Sequence, residues 1–188
     1  MTRHVALLRG INVGGNNLIK MTDLKVCFER LGLLDVTTYI ASGNVLFTSS
    51  EANRARLTRR IEQALSTTFD YPSSVVLRSA EDLWSIVEHA PAWCGRQPAT
   101  YRYDVAFLKE PLSASEAMTS IKLREGVDRA HAGQGVLYFS RLIRRASQSY
   151  LSRLASMPVY QRMTIRNWNT TTKLLRLLEA AGAKPKPR

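Results

Sequence analysis

The chain has 188 residues, 45% hydrophobic and 22% charged, which suits an ordinary folded protein of one compact unit or two small ones. Its net charge of +12 is uneven: residues 1–96 hold 11 Lys/Arg against 9 Asp/Glu, and residues 97–188 hold 16 against 6. No apolar run approaches the roughly 20 residues of a membrane helix, and Cys27 and Cys94 stand too far apart for a zinc or disulfide framework.

In chain order, "HVALLR" at 4–9 reads as a buried strand and leaves no room for a signal peptide, so a cytoplasmic setting is expected. A glycine-rich loop leads to a helix capped by Thr22, with Leu24, Cys27, Phe28 and Leu31 on one face and Gly32 closing it. Cys27 is thus a core residue. "VTTYIA" and "NVLFTS" pair as strands around Ser42-Gly43. Ser50 leads a second helix with Leu57, Ile61, Leu65 and Phe69 inward. "SVVLRS" is a fourth strand, and "SAEDLW" opens a helix with a near-capping box that Pro91 stops.

After a Pro- and Gly-containing connector the pattern recurs. "YDVAFLK" is a strand, Ser113 and Glu116 open a helix, and "VDRAHA" pairs with "VLYFS" around residues 133–135. A basic helical stretch near 147–156, the strand "MTIR" and a helix over 170–181 ended by Gly182 complete it. The expected fold is α+β: two tandem ferredoxin-like βαββαβ halves, each followed by an extra helix. Their limits are 1–90 and 102–182, with a connector at 91–101 and a flexible tail at 183–188.

Three stretches, "LLRGINVGG" at 7–15, "TYIASGNVLF" at 38–47 and "TIRNWNTTTKL" at 164–174, resemble an uncharacterised bacterial family known as domain of unknown function 1697. The resemblance runs over essentially the whole chain. It implies a small cytoplasmic α+β protein with no established activity, substrate or cofactor. Two departures stand out: Asn16 replaces a lysine common in relatives, and "RRASQSYLSRL" replaces their Gly-Arg-Ser-Lys turn. If the family lysines bind an anion, Arg144, Arg145 and Arg153 would have to substitute.

The opening loop is not a Walker-type phosphate loop, because no Lys-Ser/Thr follows its glycines and Asp23 stands in the first turn of the next helix. The dinucleotide fingerprint fails on spacing as well. An anion nest around Gly14 and Gly15, flanked by Arg9 and Lys20, competes with a purely conformational role for the glycines. Asn12, Ser42 and Asn44 suit turns and ligands alike. Arg166, Asn167, Thr170 and Lys173 gather where a strand enters a helix, a natural anion site. His4, His89 and His131 are isolated and no carboxylates pair, so neither a metal nor a cofactor is implied.

Two functions stay open, along with a purely structural role. One is a binding module for a polyanion, nucleic acid or nucleotide, through Arg141, Arg144, Arg145, Arg153 and Arg162 of the basic half. The other is a small enzyme or sensor for a phosphorylated or carboxylated metabolite. It would use Arg9, Asn12, Lys20, Ser42, Asn44, Arg166, Asn167, Thr170 and Lys173 in a cleft between the halves. A solvated basic surface without a partner would explain the charge equally.

Overall fold

A computed structural model describes residues 1–15 and 17–180. Contacts divide the chain into two compact units, Met1–Trp84 with residues 174–180, and Ser85–Lys173. Each unit holds a four-stranded antiparallel sheet, so the protein is α+β.

In the first unit the strands are β1 (Thr2–Leu8), β2 (Leu34–Tyr39), β3 (Asn44–Ser49) and β4 (Val75–Ser79), in the order β2-β3-β1-β4. Alternation along the strands sends Ala6, Leu8, Val45, Phe47, Val75 and Leu77 into one core. There they meet helices α1 (Met21–Arg30) and α2 (Arg54–Phe69). The i, i+4 spacing of Leu57, Ile61 and Leu65 turns one stripe of α2 inward. Phe28 and Phe47 meet at 5.5 Å between ring centres, tilted by 58°. Val5 and Leu7, on the opposite face of β1, are equally inaccessible, so the strand reads as a continuous apolar run.

Two helix starts differ from the sequence reading. The residue capping α1 is Lys20, while the Thr22 hydroxyl lies inside the first turn and donates to Asp23 at 3.3 Å. The Asn12 side chain holds the Ile19 N–H at 2.8 Å and so fixes where the helix can begin. For α2 the cap is Asn53, which accepts from the Arg56 N–H at 2.9 Å, and not Ser50. The box at the start of α3 (Ala80–Glu88) closes both ways: Ser79 Oγ accepts from the Asp82 N–H at 3.1 Å, and Asp82 Oδ2 accepts from the Ser79 N–H at 2.8 Å.

The second unit contains β5 (Tyr101–Leu108), α4 (Ala114–Thr119), β6 (Asp128–Gly133), β7 (Val136–Leu142) and β8 (Met163–Asn167), with sheet order β6-β7-β5-β8. Ser113 caps α4 by accepting from the Glu116 N–H at 3.2 Å. Ala106, Leu108, Leu137, Phe139 and Met163 line one core face. On the other face Tyr138 donates to the Ile86 carbonyl of α3 at 2.6 Å, and burial pushes its phenol up to about 12.

The basic stretch near 147–156 is not an α-helix. Three 3-10 segments, Ile143–Gln148, Tyr150–Ser156 and Pro158–Arg162, run from β7 to β8. The buried carboxylate of Asp128 on β6 takes Ser149 Oγ at 2.5 Å and the Tyr150 N–H at 2.8 Å, which pins Ser149 in an extended conformation. Pro158 forces Met157 extended in the same way. No helix can pass through either point. The closing helix α5 (Trp168–Ala180) starts two residues earlier than its periodicity suggests, because Asn167 Oδ1 accepts from the Thr170 N–H at 2.7 Å. Its expected end at Gly182 and the tail at 183–188 lie outside the described residues.

Candidate functional site

The first two motif stretches meet within the first unit. Asn12, held at φ 53°, donates from Nδ2 to the Ile19 and Ala41 carbonyls at 2.9 and 2.8 Å. It thereby closes its own loop and ties that loop to the β2–β3 turn. Leu8 N–H donates to the Gly43 carbonyl at 2.8 Å. Gly43 has φ 78°, and a Cβ there would stand 2.6 Å from Ile11 Cδ1, so only glycine fits this turn. Asn44 is buried and donates to the Tyr39 carbonyl at 2.9 Å and to Ser42 Oγ at 3.3 Å. Gly10 and Gly15 are different: a Cβ at either would meet nothing, so positive φ alone explains them. Arg9 is half-buried, Lys20 is exposed, and Asn16 lies outside the described residues. The convergence is therefore built largely from amides engaged with backbone.

The third motif lies on β8 and the start of α5. Arg166 is buried and donates from Nη1 to Thr164 Oγ1 and to the Ile165 carbonyl, each at 2.9 Å. Burial lowers its pKa to about 10, with Tyr160 acting in the opposite direction. Asn167 caps the helix, Thr170 is buried at its first turn, and Lys173 is exposed. Arg78 on β4 holds the matching position in the first unit and was not marked out by sequence reasoning. It pairs across the sheet with Val5 as Arg166 does with Val105, is buried, and donates to its neighbour's carbonyl at 2.9 Å. The signal was present in "VLRSAED" and "TIRNWNT", each a strand arginine followed by a capping residue.

The five arginines proposed for a polyanion divide by partner. Arg145 donates to Gln148 Oε1 at 3.0 and 2.8 Å, and Arg162 pairs with Glu116 at 3.3 Å. Arg153 and Arg124 lie over the Tyr150 ring at 6.0 and 5.7 Å. Arg144 is exposed. Arg141 is half-buried on β7, directly opposite Arg102 on β5 and Asp128 on β6. Asp128 already accepts from Ser149 Oγ and from the Tyr150 and Arg124 N–H groups. Beside Arg102 a cleft of about 400 Å³ opens, walled by Tyr101 and Trp168. Tyr101, Tyr150, Arg102 and Arg124 were missed as candidates because none belongs to a motif.

Titratable chemistry is sparse. Burial pushes the Cys94 thiol up to about 12 and raises Cys27, so both stay protonated near neutrality. Among the described residues no three His, Cys, Asp or Glu side chains gather as a metal site, and no helix is long and apolar enough to cross a membrane.

Sheets and helices together define an α+β protein whose chemistry-bearing side chains are arginines, amides and aromatics. The chain belongs to the family described as "Protein of unknown function (DUF1697)", whose pattern matches residues 1–138. It is similar over 95% of its length to a solved structure, the conserved bacterial protein SP0830 from Streptococcus pneumoniae. That likeness has 32% identity and a TM-score of 0.82 and covers 99% of the other chain. No curated protein matches.

Proposed function

We propose that this protein binds a polyanion, a nucleic acid or nucleotide, through its second half. The observation that carries this reading is the surplus of 16 basic over 6 acidic residues in 97–188, ten cations more than the acids of that stretch can match. In the second unit guanidinium groups stack on tyrosines instead, Arg124 and Arg153 on Tyr150 and Arg129 on Tyr101. Arginine beside an aromatic ring suits a single strand, where phosphate and base are held side by side. Two ferredoxin-like halves in tandem, bounded at 1–90 and 102–182, form the scaffold of this reading; their support is the common strand order of the two sheets. A metabolite site at the first motifs draws support from the Asn12–Ala41 link, yet the bonds of Asn12 all go to backbone.

The test is fluorescence anisotropy with short RNA and DNA single strands over a salt series. Binding is expected to weaken with a slope of about −0.7 in log K per log salt for each phosphate contact. Triple replacement of Arg144, Arg145 and Arg153 by alanine should flatten that slope by about 2. Failure of every strand to bind, or binding indifferent to salt, overturns the proposal.

A further inference from the structure

We infer that the cleft walled by Tyr101 and Trp168 is a stacking site for one base of a single-stranded nucleic acid, with Arg102 holding the adjoining phosphate. This deepens the polyanion reading above and rests on it. The cleft, about 400 Å³, falls within the range of pockets that enclose small planar ligands. Tyr101 and Trp168 are half-buried there, and the exposed Ile143 extends the apolar wall.

The walls are preset. A Cβ on Gly95 would come within 2.6 Å of Trp168 Nε1, so the indole rests directly on glycine backbone. Arg129, which does not line the cleft, lies 5.4 Å from the centre of the Tyr101 ring. Such held aromatic walls lose little freedom when a base stacks on them. At the edge stand two amides. Asn167 spends its oxygen on the Thr170 N–H and keeps Nδ2, and Asn169 is exposed. Between them they offer the donors and acceptors that read a base edge.

The phosphate position follows from Arg102, which brings a guanidinium to the cleft lining. Arg102 and Arg141 face each other directly across β5 and β7. The two charges are matched by Asp104, bonded to Arg102, and by Asp128, directly opposite Arg141. Asp104 is bonded to Arg102 at 3.1 Å and leaves more than half of the Arg102 side chain exposed. No acidic side chain lines the cleft. Arg102 offers an exposed guanidinium to a phosphate, and the cleft that it lines would receive the adjoining base.

The experiment compares an oligonucleotide, an abasic oligomer of equal length and a free mononucleotide on the intact protein. Trp168→Leu and Tyr101→Leu are each expected to weaken the oligonucleotide roughly tenfold or more and to leave the abasic oligomer unchanged. Arg102→Ala should weaken both oligomers. Should Trp168→Leu fail to fold, photocrosslinking of a 5-iodouracil oligomer to the wild-type chain gives an independent answer. Adducts at Tyr101 or Trp168 support the site, and adducts confined elsewhere overturn it. Undiminished oligonucleotide binding by the leucine variants overturns the stacking site and leaves the polyanion reading standing. A mononucleotide that binds as tightly as the strand makes a free nucleotide the ligand and overturns the single-strand assignment. If neither oligomer nor mononucleotide binds wild-type protein at any salt concentration, both proposals fall.

Discussion

The two sheets share a strand order and a buried arginine at the same register, yet what leads from third strand to fourth differs completely. In the first unit it is the regular 16-residue helix α2. In the second it is a run of 3-10 segments broken at Ser149 and Met157. Sheet order thus leaves the covering element free. A single buried carboxylate, Asp128, and a single proline, Pro158, decide against the helix.

Arginine partners differ in the same place. Three of the four arginines of α2 have partners in the first unit: Arg54 pairs with Asp82 at 2.6 Å, Arg56 with Glu51 at 3.4 Å, and Arg60 donates to the Leu31 carbonyl at 2.8 Å. In the second unit Arg124, Arg129 and Arg153 lie over tyrosines and Arg145 bonds a glutamine, while Arg102 and Arg162 pair with Asp104 and Glu116. Residues 54–69 of α2 hold four arginines and one acid, and the irregular segment 143–162 holds four arginines and none.

The sharpest way to break the comparison is to empty each core at matching strands. Phe47→Ala and Phe139→Ala should each cost about 3–5 kcal/mol, read as a drop in urea midpoint. If only one is costly, the two cores are not equivalent supports. Next comes Asn12→Ala, which removes three hydrogen bonds from a residue at positive φ. At about 1 kcal/mol net per bond a loss of about 2–3 kcal/mol is expected in thermal or chemical unfolding. The cap pair is milder: Ser79→Ala and Asn167→Ala should each cost about 1 kcal/mol, and equal losses would confirm that the strand–arginine–cap junction is used twice.

The smallest effect at neutral pH is that of His4. It is buried against Phe47, and neither ring nitrogen has a hydrogen-bond partner. Burial, helped by Arg54 and opposed by Asp82, lowers its pKa below the ordinary 6.5. The unfolded chain therefore binds the proton more readily than the folded one. Stability attributable to this residue is complete above about pH 6.5 and is lost as pH falls from there toward the lowered folded value. His4→Phe should flatten that acid limb in urea midpoints taken from pH 7.5 down to 5. An unchanged limb would assign it to another group.

Much of the architecture was legible. The apolar runs at 4–9, 44–49 and 136–140 became strands because both sheets bury residues on two faces. Leu57, Ile61 and Leu65 gave α2 by spacing alone. Cap positions were less legible. Local rules weigh a serine or threonine at its own position, whereas Asn12 reached seven residues along the chain to set the start of α1. At the candidate sites the motif residues were recognisable, but their partners were not. Arg102 faces Arg141 from 39 positions away in sequence, and Asp128 reaches Ser149 from 21.

The sequence by itself determined the α+β class, the alternation of strands and helices, the charge gradient and the family, because all four follow from local composition, period and motif. Tertiary structure alone decided that the third strand of the second unit leads into 3-10 segments. It likewise decided that Asn12 is a tie to the neighbouring turn, and that Tyr101, Arg102 and Trp168 line one cleft. Each depends on a contact between residues distant in the chain, and no local pattern of residues encodes such a contact.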